Sequence, residues 1–365
     1  MKYQRKFSRQ ILQQLEVYPE REALNPSIVK LDANENPYGP SPKVFNAIIE
    51  ELGHLHRYPT KPKHLLEALA KYALVKPENI ILGNGSDEIL EMLLKTFVEP
   101  GEEVIVSTPS FQIFQKAARI ASAKVKVVKM LGDWRWDIEG ILEAITPLTK
   151  LIYLCSPNNP TGSVLSEEEV LRLLGAPCLL VLDEAYWEFY GKSFAGLLCD
   201  TDTENLIVVR TFSKAFGLAG LRIGYAIADS RIIDDLMKVK VPFNVNRIAI
   251  AAATAALEDI GYMERIVKAI REERRRLYDR LMDLPKIKPY PSHGNFILVD
   301  ISGTGLDSEA LTEGLLNKGI LVRNLSDLGG YKGSFIRVTV GKPEENERFL
   351  RSLKEILEAF SDRRT

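Results

Sequence analysis

One lysine in this chain stands where an amine can react. Lys214 lies in the string Arg210-Thr211-Phe212-Ser213-Lys214-Ala215-Phe216-Gly217-Leu218-Ala219-Gly220-Leu221-Arg222-Ile223-Gly224-Tyr225, directly after an apolar run and between hydroxyls and glycines. An amine forms an imine with an aldehyde only when it is not locked as a solvated ammonium, and an apolar strand-to-loop position favours the neutral form. Thr211, Ser213 and Arg222 add two hydroxyls and a planar guanidinium, a set that can hold a phosphate. A lone lysine on a glycine loop is usually a surface residue, so the reading depends on the other segments that accompany this one.

Cys178-Leu179-Leu180-Val181-Leu182-Asp183-Glu184-Ala185-Tyr186 reads as a buried strand ending in an acid. An acid at the carboxyl end of a parallel strand points into the ligand crevice. There Asp183 can pair with a pyridinium nitrogen and keep the ring an electron sink, or it can simply cap the following helix. Ser156-Pro157-Asn158-Asn159-Pro160-Thr161-Gly162 follows another apolar run, and its prolines and asparagines make a rigid turn that aims Asn158 inward. Asn158 and Tyr186 are then suited to donate to a phenolate oxygen on such a ring. Gly83-Asn84-Gly85-Ser86-Asp87 joins a strand to a helix, whose free N–H groups form an anion site around Gly85, Ser86 and Asp87. Thr108-Pro109-Ser110-Phe111 places an aromatic ring after the next strand, where it can stack on a planar ligand.

The elements that must position these residues alternate along the chain. Strand-length apolar runs occur at Asn79–Leu82, Glu103–Ser107, Lys124–Lys129, Leu151–Leu154, Cys178–Leu182 and Leu206–Arg210, with helical periodicity at Ser86–Val98 and Phe111–Ser122 between them. This is an α/β pattern with a mostly parallel sheet flanked by helices. Beyond Val241 the texture changes to helices over Asn246–Leu257 and Gly261–Leu281, strands at Asn295–Asp300, Ile320–Arg323 and Ser334–Val340, and a last helix from Pro343 to Phe360. The expected organisation is an extended N-terminal arm over residues 1–40 that packs with the small domain, a large ligand-binding domain over 41–245, and a smaller α+β domain over 246–365. Ser41-Pro42 starts the first helix as N-cap and first-turn proline.

Composition narrows the function classes. Forty-eight basic against forty-nine acidic side chains leave a net charge of -1, so no overall field recruits nucleic acid or an anionic membrane, and small-molecule partners are expected. The longest apolar stretch, Ile248–Leu257, is too short to span a bilayer. Three scattered cysteines fit a reducing cytoplasm, and His54, His56, His64 and His293 form no metal-binding pattern.

Taken together, the motifs resemble the fold-type I aminotransferases that use pyridoxal 5'-phosphate, and within them the histidinol-phosphate aminotransferase family. The resemblance runs from Leu31-Asp32-Ala33-Asn34-Glu35-Asn36-Pro37 to Phe335-Ile336-Arg337-Val338-Thr339-Val340-Gly341. It implies that Lys214 carries the cofactor, that Asp183 pairs with its ring nitrogen, and that Asn158 and Tyr186 flank its ring oxygen. Ser86, the Asp87 backbone, Thr211, Ser213 and Arg222 fall at its phosphate. It implies a homodimer in which Tyr58, in Arg57-Tyr58-Pro59, reaches the phosphate of the neighbouring subunit. Arg337 is expected to receive the substrate carboxylate and Arg323 to help hold a substrate phosphate, because histidinol phosphate and glutamate (or 2-oxoglutarate) must take turns in one pocket. Tyr18 and Asn36 are expected to close over the substrate.

Three positions depart from that pattern. Phe111 replaces a tyrosine, Phe243 lacks a common hydroxyl, and Arg247 is bulkier and more charged than expected. Three other activities fit parts of the pattern: an aromatic amino acid aminotransferase, an amino-acid-phosphate decarboxylase, and a transcriptional regulator that reuses the fold, which needs a DNA-binding segment ahead of the arm.

Overall fold

The structure is a computed structural model and describes residues 7–15, 17, 25, 27–199 and 203–362. Twelve strands form among the described residues: β1 (Val29–Leu31), β2 (Ile80–Gly83), β3 (Glu103–Thr108), β4 (Lys124–Lys129), β5 (Thr149–Cys155), β6 (Leu179–Asp183), β7 (Leu206–Thr211), β8 (Gly224–Ala228), β9 (Lys288–Pro289), β10 (Phe296–Asp300), β11 (Ile320–Asn324) and β12 (Phe335–Thr339). Seven of them make the large sheet in the order β2-β8-β7-β6-β5-β3-β4. Six run in one direction, and β8 alone is antiparallel to its neighbours β2 and β7.

The central strands of the large sheet are buried on both faces, which is why β6 and β7 read as unbroken apolar runs. Alternation along each strand divides the interior in two. Val181, Val209 and Tyr153 pack beneath the helices Ser86–Phe97, Gln112–Ile120 and Ser230–Val239. Leu180, Leu182 and Val208 face a second, larger core that includes Val170 and Leu173, Ala252 and Ala253, and Ile270, and that continues into the C-terminal sheet at Phe296–Val299. On this second face lies a buried ion pair, with Arg210 and Glu184 3.0 Å apart and the Arg210 guanidinium 4.1 Å from the Trp187 ring.

The five-stranded sheet has the order β1-β11-β12-β10-β9. Its edge strand comes from the segment expected to be an extended arm: Val29–Leu31 pairs in parallel with Ile320–Val322, and the buried Leu31 anchors it. The helix Arg247–Leu257 packs against the helices Pro42–Leu52 and Lys63–Ala73, and the long helix Ile260–Met282 leads on from it. Among the described residues no helix is long and apolar enough to cross a membrane.

Candidate active site

Most of the residues singled out for chemistry gather at the carboxyl ends of five of the six co-directional strands. Ser86 follows β2, Phe111 follows β3, the turn 156–162 follows β5, Asp183 ends β6, and Lys214 stands just past β7. Ligand crevices of open α/β sheets form at this edge.

The Lys214 side chain is partly buried and donates from Nζ to the Ala33 carbonyl at 3.0 Å. Burial first, and the Arg337 charge second, push its amine down to about 8. That is low enough for a working fraction of neutral amine near physiological pH, as a nucleophile or base requires.

Asp183 is 2% exposed. Its Oδ1 accepts from the Ala185 N–H at 3.0 Å and its Oδ2 from the Tyr153 hydroxyl at 2.8 Å. Burial outweighs both bonds and raises the carboxyl to about 6. A buried acid of this kind destabilises the fold when charged: above pH 6 the penalty is about 3 kcal/mol, and it fades as pH falls from 6 toward the unfolded value. Asp183→Asn is therefore expected to raise the melting temperature of the ligand-free protein at pH 8 and to leave it nearly unchanged at pH 4. Equal shifts at both pH values would trace the effect to something other than this charge.

Of the two adjacent asparagines, the second faces the crevice. Asn158 is fully buried, with Nδ2 bonded to the Pro109 carbonyl at 2.9 Å and to Thr161 Oγ1 at 2.8 Å, and with Oδ1 accepting from Ser110 at 2.7 Å. Its polar atoms are committed to holding the turn, which corrects the expectation that it donates to a ligand. Asn159 instead donates to the Tyr186 hydroxyl at 3.3 Å and accepts from Arg337 Nη1 at 2.6 Å. The Tyr186 hydroxyl also accepts from Asn34 Nδ2 at 3.0 Å. Asn34, a residue no local motif marks, has φ 54° and is fixed by Thr339 and Asn295, so the segment after β1 forms part of the wall.

The phosphate-type cradle is assembled by glycines. Gly224 lies in register between Gly83 and Thr211, and a Cβ there would stand 2.6 Å from the Ser86 nitrogen. Gly85, at φ 80°, leaves room for Arg222, whose Nη2 would be 2.7 Å from an added Cβ. The helix Ser86–Phe97 begins at the residue expected and has no side-chain cap, so its first N–H groups are left for the cradle. Thr211 and Ser213 hydroxyls bond each other at 2.9 Å, and Arg222 pairs with Asp87 at 3.1 Å.

Beside this cluster opens a cavity of about 720 Å³, lined by Phe111, Asn159, Arg323 and Arg337, with Leu15 and Val17 at its rim. Arg323 and Arg337 are cross-strand partners on β11 and β12. Arg337 reaches the Asp32 carbonyl as well as Asn159. Asn36 does not line this cavity; its Nδ2 donates to the Ala215 carbonyl at 2.9 Å and ties the N-terminal segment to the lysine loop. Tyr58 lines neither this cavity nor the smaller one beside Ser213, and is 76% exposed. The two unusual residues of the 241–247 string hold it: Phe243 stacks on its ring at 4.6 Å, and Arg247, paired with Glu51 at 2.5 Å, donates to its carbonyl. Tyr18 lies outside the described residues.

A profile of the family described as aminotransferase class I and II matches residues 26–353. The chain belongs to this family. As a class I and II aminotransferase it has relatives named histidinol-phosphate aminotransferase. One from Methanocaldococcus jannaschii is 40% identical over 335 residues, covering 90% of this chain and 89% of the relative. Another from Methanosarcina mazei is 41% identical over 331 residues, covering 90% and 88%. Among solved structures, the histidinol-phosphate aminotransferase from Sinorhizobium meliloti in complex with pyridoxal-5'-phosphate superposes with a TM-score of 0.86 at 30% identity, over 97% of this chain and 98% of that one. The fold is thus the α/β architecture of fold-type I aminotransferases.

Proposed function

We propose that this aminotransferase moves the amino group of L-histidinol phosphate to 2-oxoglutarate, reversibly giving imidazole acetol phosphate and L-glutamate in histidine biosynthesis, with pyridoxal 5'-phosphate as cofactor. The observation that carries the substrate reading is the pair Arg323 and Arg337, directly opposite each other at the cavity wall. Like charges facing across strands repel, and an anion between them reverses the sign. Two arginines suit both substrates, since glutamate brings two carboxylates and histidinol phosphate a phosphate that carries nearly two charges on several acceptor oxygens.

The residues present fit the cofactor. A Cβ at Gly85 or Gly224 would fill the cradle, the buried Asp183 suits a ring nitrogen that carries a proton, and the Lys214 amine is partly neutral. When bound, pyridoxal phosphate supplies the aldehyde and the electron-withdrawing ring. The chain does the rest. Lys214 would hold the cofactor through Nζ, and its amine, once free, would carry the proton taken from the donor's α-carbon. Asp183 keeps the ring nitrogen protonated, while Asn159 and Tyr186 orient the ring oxygen. Gly85, Ser86, the Asp87 backbone, Thr211, Ser213 and Arg222 hold the phosphate, and Phe111 covers the ring face. Asn36 fixes the lysine loop, and Tyr18 belongs to the closing segment.

The reading extends to a homodimer. Phe45, Ile49 and Leu52, spaced along one face of the helix Pro42–Leu52, are exposed together with Leu55, Tyr58 and Phe243, a surface suited to a second copy. Tyr58, braced by Phe243 and Arg247, then reaches the partner's phosphate site. The division into an arm, a large domain to about 245 and a small C-terminal domain belongs to the same reading. So does a cytoplasmic location, which the free, buried thiols of Cys155 and Cys178 favour.

The test is the visible absorbance of the purified protein during titration with L-histidinol phosphate, then 2-oxoglutarate. Loss of the cofactor band and its return on adding the keto acid is the expected result. Bleaching by phenylalanine or tyrosine but not by histidinol phosphate would give the aromatic alternative, and carbon dioxide release without a keto acid would give the decarboxylase. Arg323→Ala is expected to raise KM for histidinol phosphate about 100-fold, the worth of one charge-assisted contact, while KM for glutamate moves less than about threefold. Equal rises for both substrates would remove Arg323 from phosphate recognition.

A further inference from the structure

Asp183 has a neighbour to which the proposed chemistry gives no task. Tyr153, in the middle of β5, is 1% exposed and donates its hydroxyl to Asp183 Oδ2. The β5–β6 register pairs Tyr153 with Val181 and Cys155 with Asp183. Tyr153 is therefore the diagonal neighbour of Asp183 on the same face of the sheet, and a tyrosine is long enough to span that diagonal. Its ring lies nearly flat on Phe114, with centroids 4.3 Å apart and planes 14° off parallel. Packed between the sheet and the helix Gln112–Ile120, the ring holds its hydroxyl on the carboxylate.

We propose that Tyr153 is a positioning residue that keeps Asp183 ionised and aims its carboxylate at the cofactor ring nitrogen, an inference that rests on the role given to Asp183 above.

The surroundings of Asp183 otherwise push toward a neutral acid. Cys155 faces it from β5, with its thiol raised by burial; Asp87 acts from the helix Ser86–Phe97, Glu184 is the next residue along the chain, and Tyr186 follows. Against burial and the two acids stand the Tyr153 hydroxyl and the Ala185 N–H, both donors to the ionised form. The Tyr153 phenol is itself raised, first by burial and then by the Asp183 charge, so it stays protonated and remains a donor through the working pH range. An aspartate held as an anion forms a salt pair with the ring nitrogen and draws the proton onto the ring. A neutral acid there would leave the ring a weaker electron sink.

Tyr153→Phe removes the hydroxyl and keeps the ring on Phe114, and three readouts test it. The expected kcat is about tenfold lower with both KM values within about twofold, matching one hydrogen bond to a charged group. In equilibrium binding of pyridoxal phosphate to the apoprotein, the acidic limb of the pH dependence moves up by about one unit. With cofactor labelled with ¹⁵N in the ring, the nitrogen resonance moves toward that of an unprotonated pyridine. Wild-type values for the binding limb and the resonance would overturn the inference, whatever the activity. Asp183→Asn is measured alongside. If it too leaves the resonance unmoved, the role of Asp183 itself fails; if it alone moves the resonance, only the role of Tyr153 fails.

Discussion

Lys214→Ala is expected to lower kcat by about 10⁴-fold or more while pyridoxal phosphate still binds. General-base catalysis alone accounts for about 10² to 10⁴, and in the proposed function the same amine is also the nucleophile that would hold the cofactor. Binding persists because the cradle of Gly85, Ser86, Thr211, Ser213 and Arg222 is built without the lysine. Equilibrium dialysis will show cofactor retained, and the spectrum will lack the band of lysine-bound cofactor. In the unaltered protein, capture of the cofactor should speed up as pH rises through about 8, because only the neutral amine attacks and burial holds its pKa there. Turnover retained in the variant, or a capture rate flat from pH 7 to 9, would take Lys214 out of the chemistry.

Arg337→Leu is expected to cut kcat/KM by about 10³-fold for histidinol phosphate and glutamate alike, in contrast to the one-sided effect of Arg323→Ala. Truncating a buried, hydrogen-bonded arginine typically costs 2 to 5 kcal/mol, on the order of 10³-fold at the middle of that range. Arg337 touches Asn159 and the Asp32 carbonyl, so its guanidinium is oriented before any substrate arrives. It also depresses the Lys214 amine, being the largest charge effect on that group after burial. The variant's Lys214 should therefore titrate at higher pH, and the alkaline shift of its cofactor-capture profile separates this role from binding of the substrate's anionic group. Steady-state kinetics with both substrates decides: a loss confined to one of them would reassign the residue.

The buried strands of the large sheet were legible because burial on both faces leaves little room for polar residues; the exposed edge strand Lys124–Lys129 also has the bounds expected. Strand β8 was missed because Gly224 and Tyr225 read as the end of the lysine loop, and its pairing partners lie on strands far away in sequence. Val29–Leu31 is three residues long, and only β11 makes it a strand. The lysine, the acid and the cradle were legible because each sits where a strand gives way to a loop. The choice between Asn158 and Asn159 was not, since identical neighbours differ only in the direction the turn gives them. Asn34 meets Tyr186 across 152 residues of sequence, a contact that no local pattern announces. Phe243 and Arg247 looked like departures when taken singly and make sense only as the brace of Tyr58.

The buried pair of Arg210 and Glu184 bears on how the chain finds its pairing. Asp183 and Thr211 end their strands on one face of the sheet, and Glu184 and Arg210 are their immediate neighbours in sequence. If β6 slid past β7 by one residue, every side chain would change faces. Glu184 would then enter the crevice and Arg210 would lose its counter-charge inside an apolar core, at a penalty of about 3 to 5 kcal/mol. The misaligned sheet is thereby proofread while it forms: a chain that has satisfied its deepest charge has, by the same alignment, already turned Asp183 toward the crevice.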